Sequence, residues 1–183
     1  MAPTPDQQLE ERILAAARDL WREHGEKGLT LREVARAAGT TTPTVYKRFR
    51  NKEAIESALA MRFRGELLAE LFASSCVEEM PRRFLAFAES NPHEYDLLRV
   101  WWSQLFAPGR PRPGKVWAAA QLAARFGGRS EDYESAVDAL FLLCHGTASL
   151  LSVGGDASTH KALHEACIKA CQQMIEHIEV FRR

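Results

Sequence analysis

Basic and hydroxyl side chains are concentrated in one short stretch near the N-terminus. Seven Lys and Arg residues lie from Lys27 to Lys52, with Glu33 as the single acid, so the stretch has a formal charge of +6. The whole chain carries 24 Lys and Arg against 24 Asp and Glu and is formally neutral. A local cationic surface with hydroxyl groups is suited to phosphates and to the polar edges of bases. This stretch is therefore a candidate nucleic-acid-binding surface.

The thiols are the other side chains with distinctive chemistry. The four cysteines are Cys76, Cys144, Cys167 and Cys171. Cys167 and Cys171 lie one helical turn apart, which raises metal or thiol sensing together with Cys144, His145 and His164. The spacing lacks the Cys-x-x-Cys loops of structural zinc sites, and free cysteines are commonly small buried hydrophobes. We therefore predict no metal site and no cofactor, and the sequence leaves a sensing role of Cys167, Cys171 and His145 open.

Composition excludes several classes of protein. With 183 residues, 46% of them hydrophobic and 26% charged, the chain fits one globular domain or two small ones. No charged-then-apolar leader is present, so we expect a reduced, cytoplasmic protein rather than a secreted disulfide framework. Apolar runs such as 139–144 are far shorter than the roughly 20 residues of a membrane-spanning helix, so no membrane association is expected.

Motifs that are diagnostic of catalysis are missing from the sequence. It contains no nucleophile elbow, no phosphate-binding glycine loop, no HExxH motif and no paired carboxylates at a diagnostic spacing. We therefore predict that the protein is not an enzyme and has no catalytic residue.

Helical spacing runs through nearly the whole chain and predicts an all-α fold, because no alternating run of β-branched residues suggests a sheet. The pattern predicts about nine helices, at 5–24, 31–38, 42–49, 52–73, 81–90, 92–106, 115–126, 130–153 and 158–181. Residues 108–114 are predicted to be a loop. We expect a three-helix domain over 1–50 and a helical bundle domain over 51–183, which begins with a linking helix at 51–73.

Capping signals set the boundaries of the first three helices. Thr4 is predicted to cap the first helix, and Thr30 with Glu33 predicts a reciprocal capping box at the second. Gly39 supplies the left-handed backbone that ends the second helix, and Thr41 caps the third. Two short helices thus follow each other across a tight turn.

The second and third helices have the layout of a helix-turn-helix. Val34, Ala35 and Ala38 on the second helix are placed to pack against Val45 and Phe49 on the third. The outward side of the third helix offers hydroxyl and basic groups that can reach a DNA major groove. These groups belong to Thr42, Thr44, Lys47 and Arg48.

The stretch 12–53 combines several short motifs in a fixed order. After an apolar first helix that ends at Gly25 come 30–35 (TLREVA), 38–39 (AG), 44–46 (TVY), Phe49 and 51–53 (NKE). In this combination the stretch resembles the DNA-binding domain of the TetR family. The resemblance implies that the major groove is faced by Thr42, Pro43, Thr44 and Lys47. It implies that phosphates are contacted by Thr30, Tyr46, Arg48 and Lys52.

Arg32 and Thr41 complete the predicted DNA-binding set, because both lie at the ends of the helices that approach DNA. Tyr46 has an alternative interpretation as a core aromatic residue whose hydroxyl reaches the surface. Family members often have His or Tyr in place of Arg48 and a small residue in place of Pro43. These two departures leave the operator sequence unpredicted.

The resemblance also implies a role for the larger domain, which in the TetR family usually dimerises and senses a small molecule. Phe87, 91–92 (NP), Tyr95, 97–98 (LL) and 145–150 (HGTASL) make this part similar to the C-terminal type named for its Trp, His and Gly. The last two helices are apolar on more sides than one chain can cover, which independently favours pairing with a second copy. We expect a homodimer through these helices.

The expected function is that of a repressor of transcription. Its partners are double-stranded operator DNA, a second copy of the chain and a small-molecule effector whose identity the sequence does not reveal. A DNA-organising protein without an effector is the alternative that the sequence leaves open, because it would use the same helix-turn-helix.

Aromatic side chains in the larger domain are candidates for an effector pocket, although aromatics at helical spacing are also ordinary core residues. The candidates are Phe84, Phe87, Trp101, Trp102, Phe106, Trp117, Phe141 and His145. Gly146 is a further clue, because a glycine inside a helix costs up to about 1 kcal/mol relative to alanine. It predicts either close helix packing or room for a ligand.

Overall fold

The computed structural model describes residues 5–154 and 156–181, which form α-helices and short 3-10 turns and contain no strand. The helices are α1 Pro5–His24, α2 Leu31–Ala37, α3 Thr42–Arg48, α4 Lys52–Phe72, α5 Met80–Ser90, α6 Pro92–Leu105, α7 Pro113–Phe126, α8 Glu134–Ser152 and α9 Ala157–Glu176. The all-α class and the nine predicted helices are confirmed over this part of the chain. Thr4, the predicted cap of α1, lies outside the described residues.

Helix boundaries differ from prediction mainly in the second half of the chain. A 3-10 turn, Ser130–Tyr133, precedes α8, and another, Ile178–Phe181, follows α9, so both helices are shorter than predicted. α7 begins at Pro113, inside the stretch predicted to be a loop. Proline is accommodated there because the first turn of a helix does not need its N–H.

The start of α2 follows the prediction only in part. The Thr30 hydroxyl accepts a hydrogen bond from the Glu33 backbone N–H at 3.2 Å, as a helix cap does. The reciprocal half of the predicted capping box is wrong. The Thr30 N–H donates to the Gly28 carbonyl at 3.2 Å, and the Glu33 carboxylate pairs with Arg36 instead.

The turn between α2 and α3 is fixed by its backbone and by a second cap. Gly39 has φ of +62°, in the left-handed region that glycine adopts without strain. The Thr41 hydroxyl then accepts from the Thr44 N–H at 3.4 Å and starts α3. Both predictions are confirmed, and α3 is held at a defined angle to α2.

The chain packs as two compact units. The first unit combines the chain up to Arg64 with His93–Leu105, and the second unit combines Gly65–Pro92 with the chain from Phe106 onward. α6 therefore belongs to the same unit as α1 to α3, although α5 precedes it in sequence. The predicted boundary at residue 50 concerns the division of function and stays a prediction.

In the first unit, polar contacts join the start of α6 to α1. The Trp21 Nε1–H donates to the His93 carbonyl at 2.7 Å, and Arg22 Nε donates to Glu94 Oε1 at 2.7 Å. Gly25, with φ of +61°, lies so close to His93 that an added Cβ would come within 2.9 Å of the imidazole Nδ1. A side chain at position 25 would therefore disturb this junction.

In the second unit, α8 is the central helix and packs against α5, α7 and α9. Its inward side is buried through Ala136, Leu140, Cys144 and Ala148. The segment Ser130–Ser152 has the length and mean hydropathy, 1.3, of a membrane-crossing helix, and 28% of its apolar window is buried within the chain. A single helix with these properties is weak evidence for a membrane span.

Candidate DNA-binding site

The helix-turn-helix is built on a small apolar contact between α2 and α3. Val34 and Val45 are fully buried, Ala35 and Phe49 are buried, and Ala38 is half-buried. The predicted packing residues thus form the inner side of the two helices. The opposite side of α3 is left available to solvent.

The available side of α3 carries the residues that were predicted to face DNA. Pro43, Tyr46 and Lys47 are exposed, and Thr42 and Thr44 are half-buried. Tyr46 has 54% of its surface exposed, which argues against its alternative interpretation as a core aromatic residue. Among the flanking positions, Thr30, Arg32 and Thr41 are exposed, and Arg48 and Lys52 are half-buried.

Ion pairs neutralise some of the seven basic residues of this region. Arg36 pairs with Glu33 at 2.6 Å, and Lys52 lies 3.5 Å from a carboxylate oxygen of Glu56. Arg48 pairs with Asp6. The remaining four make no ion pair with any described residue, and these are Lys27, Arg32, Lys47 and Arg50. Their charge is therefore available to a phosphate backbone.

Arg48 and Lys52 also hold the unit together. Arg48 joins α3 to Asp6 on α1, and its Nε is buried without a hydrogen-bond partner among the described residues. Lys52 donates to the Glu26 carbonyl at 3.2 Å, which ties the start of α4 to the 3-10 turn Gly25–Gly28. A phosphate contact by Arg48 would require it to leave Asp6, so its predicted DNA role stays a prediction.

The predicted effector residues are divided between the two units. Trp101 and Trp102 lie on α6 in the first unit, whereas the other six lie in the second unit. Within the second unit, Trp117 contacts Phe72, with ring centroids 5.8 Å apart. Phe87 is buried on α5.

The structure gathers the remaining four residues around Phe141. The Phe106 ring stacks on Phe141 at 4.9 Å, the His145 ring stacks at 5.5 Å, and Phe84 meets Phe141 edge-on at 6.1 Å. Arg112 lies over the Phe106 ring at 4.9 Å, within the range of a cation–π interaction. We refer to Phe84, Phe106, Phe141 and His145 as the aromatic cluster.

A charged group between α7 and α8 was not predicted. Asp138 accepts from Arg112 at 2.6 Å and from Lys115 at 2.8 Å, and Lys115 also pairs with Glu134 at 2.9 Å. Burial alone would raise the pKa of Asp138, but hydrogen bonds from Lys115 and Arg112 lower it below its ordinary value. Asp138 lies 26 positions from Arg112 and 23 positions from Lys115, so no local sequence pattern predicts these contacts.

The cysteines form a second group, which the sequence raised as a sensing site without showing which of its members are in contact. Cys144 on α8 meets Cys167 and Cys171 on α9, and the three sulfur atoms lie within 4.8 Å of one another. All three side chains are buried. Hydrogen bonds with Cys167 and Cys171, and then burial, raise the pKa of Cys144. Only the helical spacing of Cys167 and Cys171 was visible in the sequence.

Comparison with known proteins agrees with this architecture. Residues 13–59 match the family model of the bacterial regulatory proteins of the tetR family. None of the curated proteins matches the chain. The matched segment contains the helix-turn-helix and the start of α4.

Solved structures resemble the chain over nearly its full length. A TetR variant from Acinetobacter baumannii AYE in complex with minocycline is 21% identical, with a TM-score of 0.66 over 93% of this chain and 96% of that chain. A TetR-family transcriptional regulator from Haemophilus influenzae RD is 20% identical, with a TM-score of 0.57 over 92% and 98%.

A third structure, a candidate transcriptional regulator from Streptomyces coelicolor, is 22% identical, with a TM-score of 0.56 over 91% of this chain and 97% of that chain. At these identities the solved structures show the fold alone, whereas the family model identifies the domain at residues 13–59. Residues 13–59 therefore match the domain model of the bacterial regulatory proteins of the tetR family, and the chain has the fold of the TetR-family structures.

Proposed function

We propose that this protein is a homodimeric repressor that binds operator DNA through α3 and is released when a small molecule binds its second unit. The observation that carries the proposal is the outer side of α3. Tyr46 and Lys47 extend from it into solvent, while Val45 anchors the helix from behind. A short helix presented in this way fits a major groove.

The chemistry of the surface supports separate roles for its residues. Thr42, Thr44 and Lys47 offer donors and acceptors to base edges, which is where sequence is read. Tyr46 offers its hydroxyl to a phosphate, a contact that positions the protein without reading sequence. Arg50, which the sequence interpretation omitted, joins the phosphate contacts because it is exposed and unpaired among the described residues.

Dimerisation is supported by an apolar stripe on the outer side of α8. Leu142, Leu150 and Val153 are each more than half exposed, and the exposed Gly146 lies between the first two. Their spacing of three or four residues puts them on one side of the helix. A second copy that covers this stripe, which we call the α8 stripe, would remove a row of apolar side chains from water.

A two-fold dimer also explains how short recognition helices reach high specificity. Two copies of α3 placed roughly 34–36 Å apart would read successive major grooves on one side of DNA. The operator is therefore near-palindromic.

The aromatic cluster is the proposed site of effector recognition. Its rings and the cation of Arg112 suit an apolar or aromatic molecule. The minocycline complex of the Acinetobacter protein supports the idea that this fold can hold a small molecule. We include in the same proposal the resemblance of residues 87–98 and 145–150 to the C-terminal type named for its Trp, His and Gly. In the first of these segments, the Asn91 side chain donates a hydrogen bond to the Phe87 carbonyl at 2.9 Å.

The release mechanism uses two connections into the first unit. α4 begins beside the helix-turn-helix at Lys52 and continues along the chain into the second unit, so its displacement tilts α3. α6 is anchored to α1 through the hydrogen bond of Trp21 to His93. The effector must bind the free and DNA-bound states with different affinity, since otherwise it shifts nothing.

Binding to the DNA upstream of the protein's own reading frame, measured by fluorescence across a range of salt, tests the proposal. We expect tight, sequence-selective and salt-dependent binding that Lys47→Ala and Tyr46→Ala each weaken about tenfold or more. Lys169→Ala, which removes an exposed cation from α9, is the matched control and keeps full affinity. Equal affinity for unrelated DNA would support the DNA-organising alternative, and absence of binding would contradict the operator assignment.

Light scattering at micromolar concentration tests the dimer. Leu150→Glu puts a charge in the α8 stripe and is expected to yield a monomer with weaker operator binding. Val116→Glu changes an equally exposed apolar residue on α7 and should leave a dimer. A monomeric wild-type protein would contradict the proposal.

A further inference from the structure

Three thiols from two helices meet inside the second unit. Cys144 comes from α8, and Cys167 and Cys171 come from successive turns of α9. We propose that these three thiols form a binding site for one soft, thiophilic ion, with trivalent arsenic as the best-matched member of this class. The inference goes beyond the regulatory function, because the binding requires no DNA.

The distances between the sulfur atoms fit a shared central ion. Three thiolates held about 2.3 Å from one ion lie about 4.0 Å apart if the ion is in their plane, and about 3.5 Å apart around a pyramidal ion such as trivalent arsenic. The sulfurs of Cys144 and Cys171 are 3.9 Å apart, and all three lie within 4.8 Å of one another. The spacing of the cluster therefore fits three ligands of one ion.

The donor set selects a soft ion. Thiolates favour soft ions, whereas Ca²⁺ and Mg²⁺ require oxygen ligands. Structural zinc takes four ligands, and no His, Asp or Glu atom joins the three sulfurs within 4.8 Å in the part of the chain that the structure describes. An ion that is satisfied by three sulfurs matches this set best.

Burial selects the charge of the ion. The three cysteines are at most 5% exposed. An uncompensated charge in such a place is costly because it has lost its hydration. Three thiolates carry three negative charges. A trivalent ion neutralises all three, whereas a monovalent ion leaves a net charge of −2. The complex with trivalent arsenic is therefore the neutral one.

The binding reaction balances without an oxidant or a reductant. Arsenite is As(OH)₃ near neutral pH, and each thiol replaces one hydroxyl group on arsenic. Three As–O bonds break and three As–S bonds form, and the three thiol protons leave with the hydroxyl groups as three water molecules. The product joins α8 to α9 through Cys144, so it should also stabilise their contact.

Titration of the reduced full-length protein with arsenite, under argon, tests the proposal. Native mass spectrometry should show one arsenic per chain in exchange for three protons. Cys76→Ala should bind arsenite as the wild type does, whereas Cys144→Ala and Cys171→Ala should bind at least tenfold more weakly with unchanged helical circular dichroism.

Parallel titrations with Cu(I) and Zn(II) distinguish the members of the class. Stoichiometric Cu(I) or Zn(II) binding without arsenite binding would overturn the trivalent assignment. If native mass spectrometry shows none of the three ions bound to the wild-type protein, the site itself is overturned. This last readout uses the wild-type protein, so it decides the matter even if a cysteine variant fails to fold.

Discussion

The two compact units carry their polar chemistry in different places. In the first unit, the groups proposed to meet DNA extend from α3 into solvent and support little of the packing beneath them, as Tyr46 and Lys47 do. In the second unit, Cys144 and Asp138 lie in the contacts between helices, and each meets residues more than 20 positions away. Tyr46 and Lys47 can therefore change without loss of the fold, whereas Cys144 and Asp138 serve both the chemistry and the packing of the second unit.

The largest expected effect is a loss of operator affinity in the first unit, and it tests whether the α3 surface is independent of the packing beneath it. The double variant Tyr46→Ala/Lys47→Ala should lower operator affinity about 100-fold, because each lost contact is worth about 1–2 kcal/mol. The melting temperature should stay unchanged, since both side chains are exposed. Fluorescence anisotropy and thermal unfolding of the same sample measure the two quantities. A large fall in melting temperature would show that the α3 surface also stabilises the unit.

The buried carboxylate of the first unit tests whether polar groups in this unit also stabilise the fold. Glu94 is buried and accepts from Arg22 at 2.7 Å at the junction of α1 and α6. Glu94→Gln should lower the free energy of unfolding by about 2 kcal/mol, less than the full cost of breaking a buried pair because Arg22 is partly exposed.

Asp96→Asn is the matched control for Glu94→Gln, since Asp96 forms an exposed pair with Arg99 on the same helix. It should cost only a few tenths of a kcal/mol. Equal effects of the two substitutions in urea unfolding would mean that burial at the junction adds no stability.

The charged contact between α7 and α8 gives a prediction with a pH dependence. The pKa of Asp138 is lowered in the folded protein, so its ionised carboxylate stabilises the fold at pH values above the ordinary pKa of a carboxylate. This stabilisation is lost as the pH falls through the pKa that Asp138 has in the folded protein. Asp138→Asn should cost about 1 kcal/mol at pH 7, a figure reduced for the partial exposure of the carboxylate.

Urea unfolding across pH checks this prediction. The difference in stability between the wild type and Asp138→Asn should shrink as the pH falls below about 4. A difference that stays constant down to pH 2 would assign the effect of Asp138→Asn to packing and not to charge.

Local and distant contacts were not equally predictable from the sequence. The cap at Thr41 and the left-handed Gly39 depend on residues within four positions, so the helix-turn-helix could be predicted before its structure was known. The reciprocal capping at Glu33 failed because the carboxylate had a stronger partner in Arg36.

In the second unit, local patterns were not sufficient. The helical spacing of Cys167 and Cys171 was visible, but the approach of Cys144 depends on how α8 packs against α9. The aromatic residues were identified by type, yet only the packing shows that Phe106 stacks on Phe141 and that Trp117 contacts Phe72. Sequence spacing defines one side of a helix and does not specify which helix covers it.

The smallest predicted effect is the gain in stability when a helical glycine is changed to alanine. Two such glycines differ in their proposed surroundings. Gly65 and Gly146 are both exposed, and a Cβ built at either meets nothing within 4 Å. The sequence left open whether Gly146 allows close helix packing or leaves room for a ligand. In the single chain, there is room beside the helix at this position. In the single chain, each change to alanine should therefore add up to about 1 kcal/mol to stability through helix propensity.

The proposed dimer separates the two positions, because Gly146 lies in the α8 stripe and Gly65 lies outside it. Gly65→Ala should show the full gain, whereas Gly146→Ala should gain less and raise the dimer dissociation constant, since the new methyl group holds the second copy away. Urea unfolding at two protein concentrations measures both effects, because only the stability of an associating protein depends on concentration. Equal gains at both positions, with an unchanged dissociation constant, would place Gly146 outside the interface and move the dimer contact to another surface.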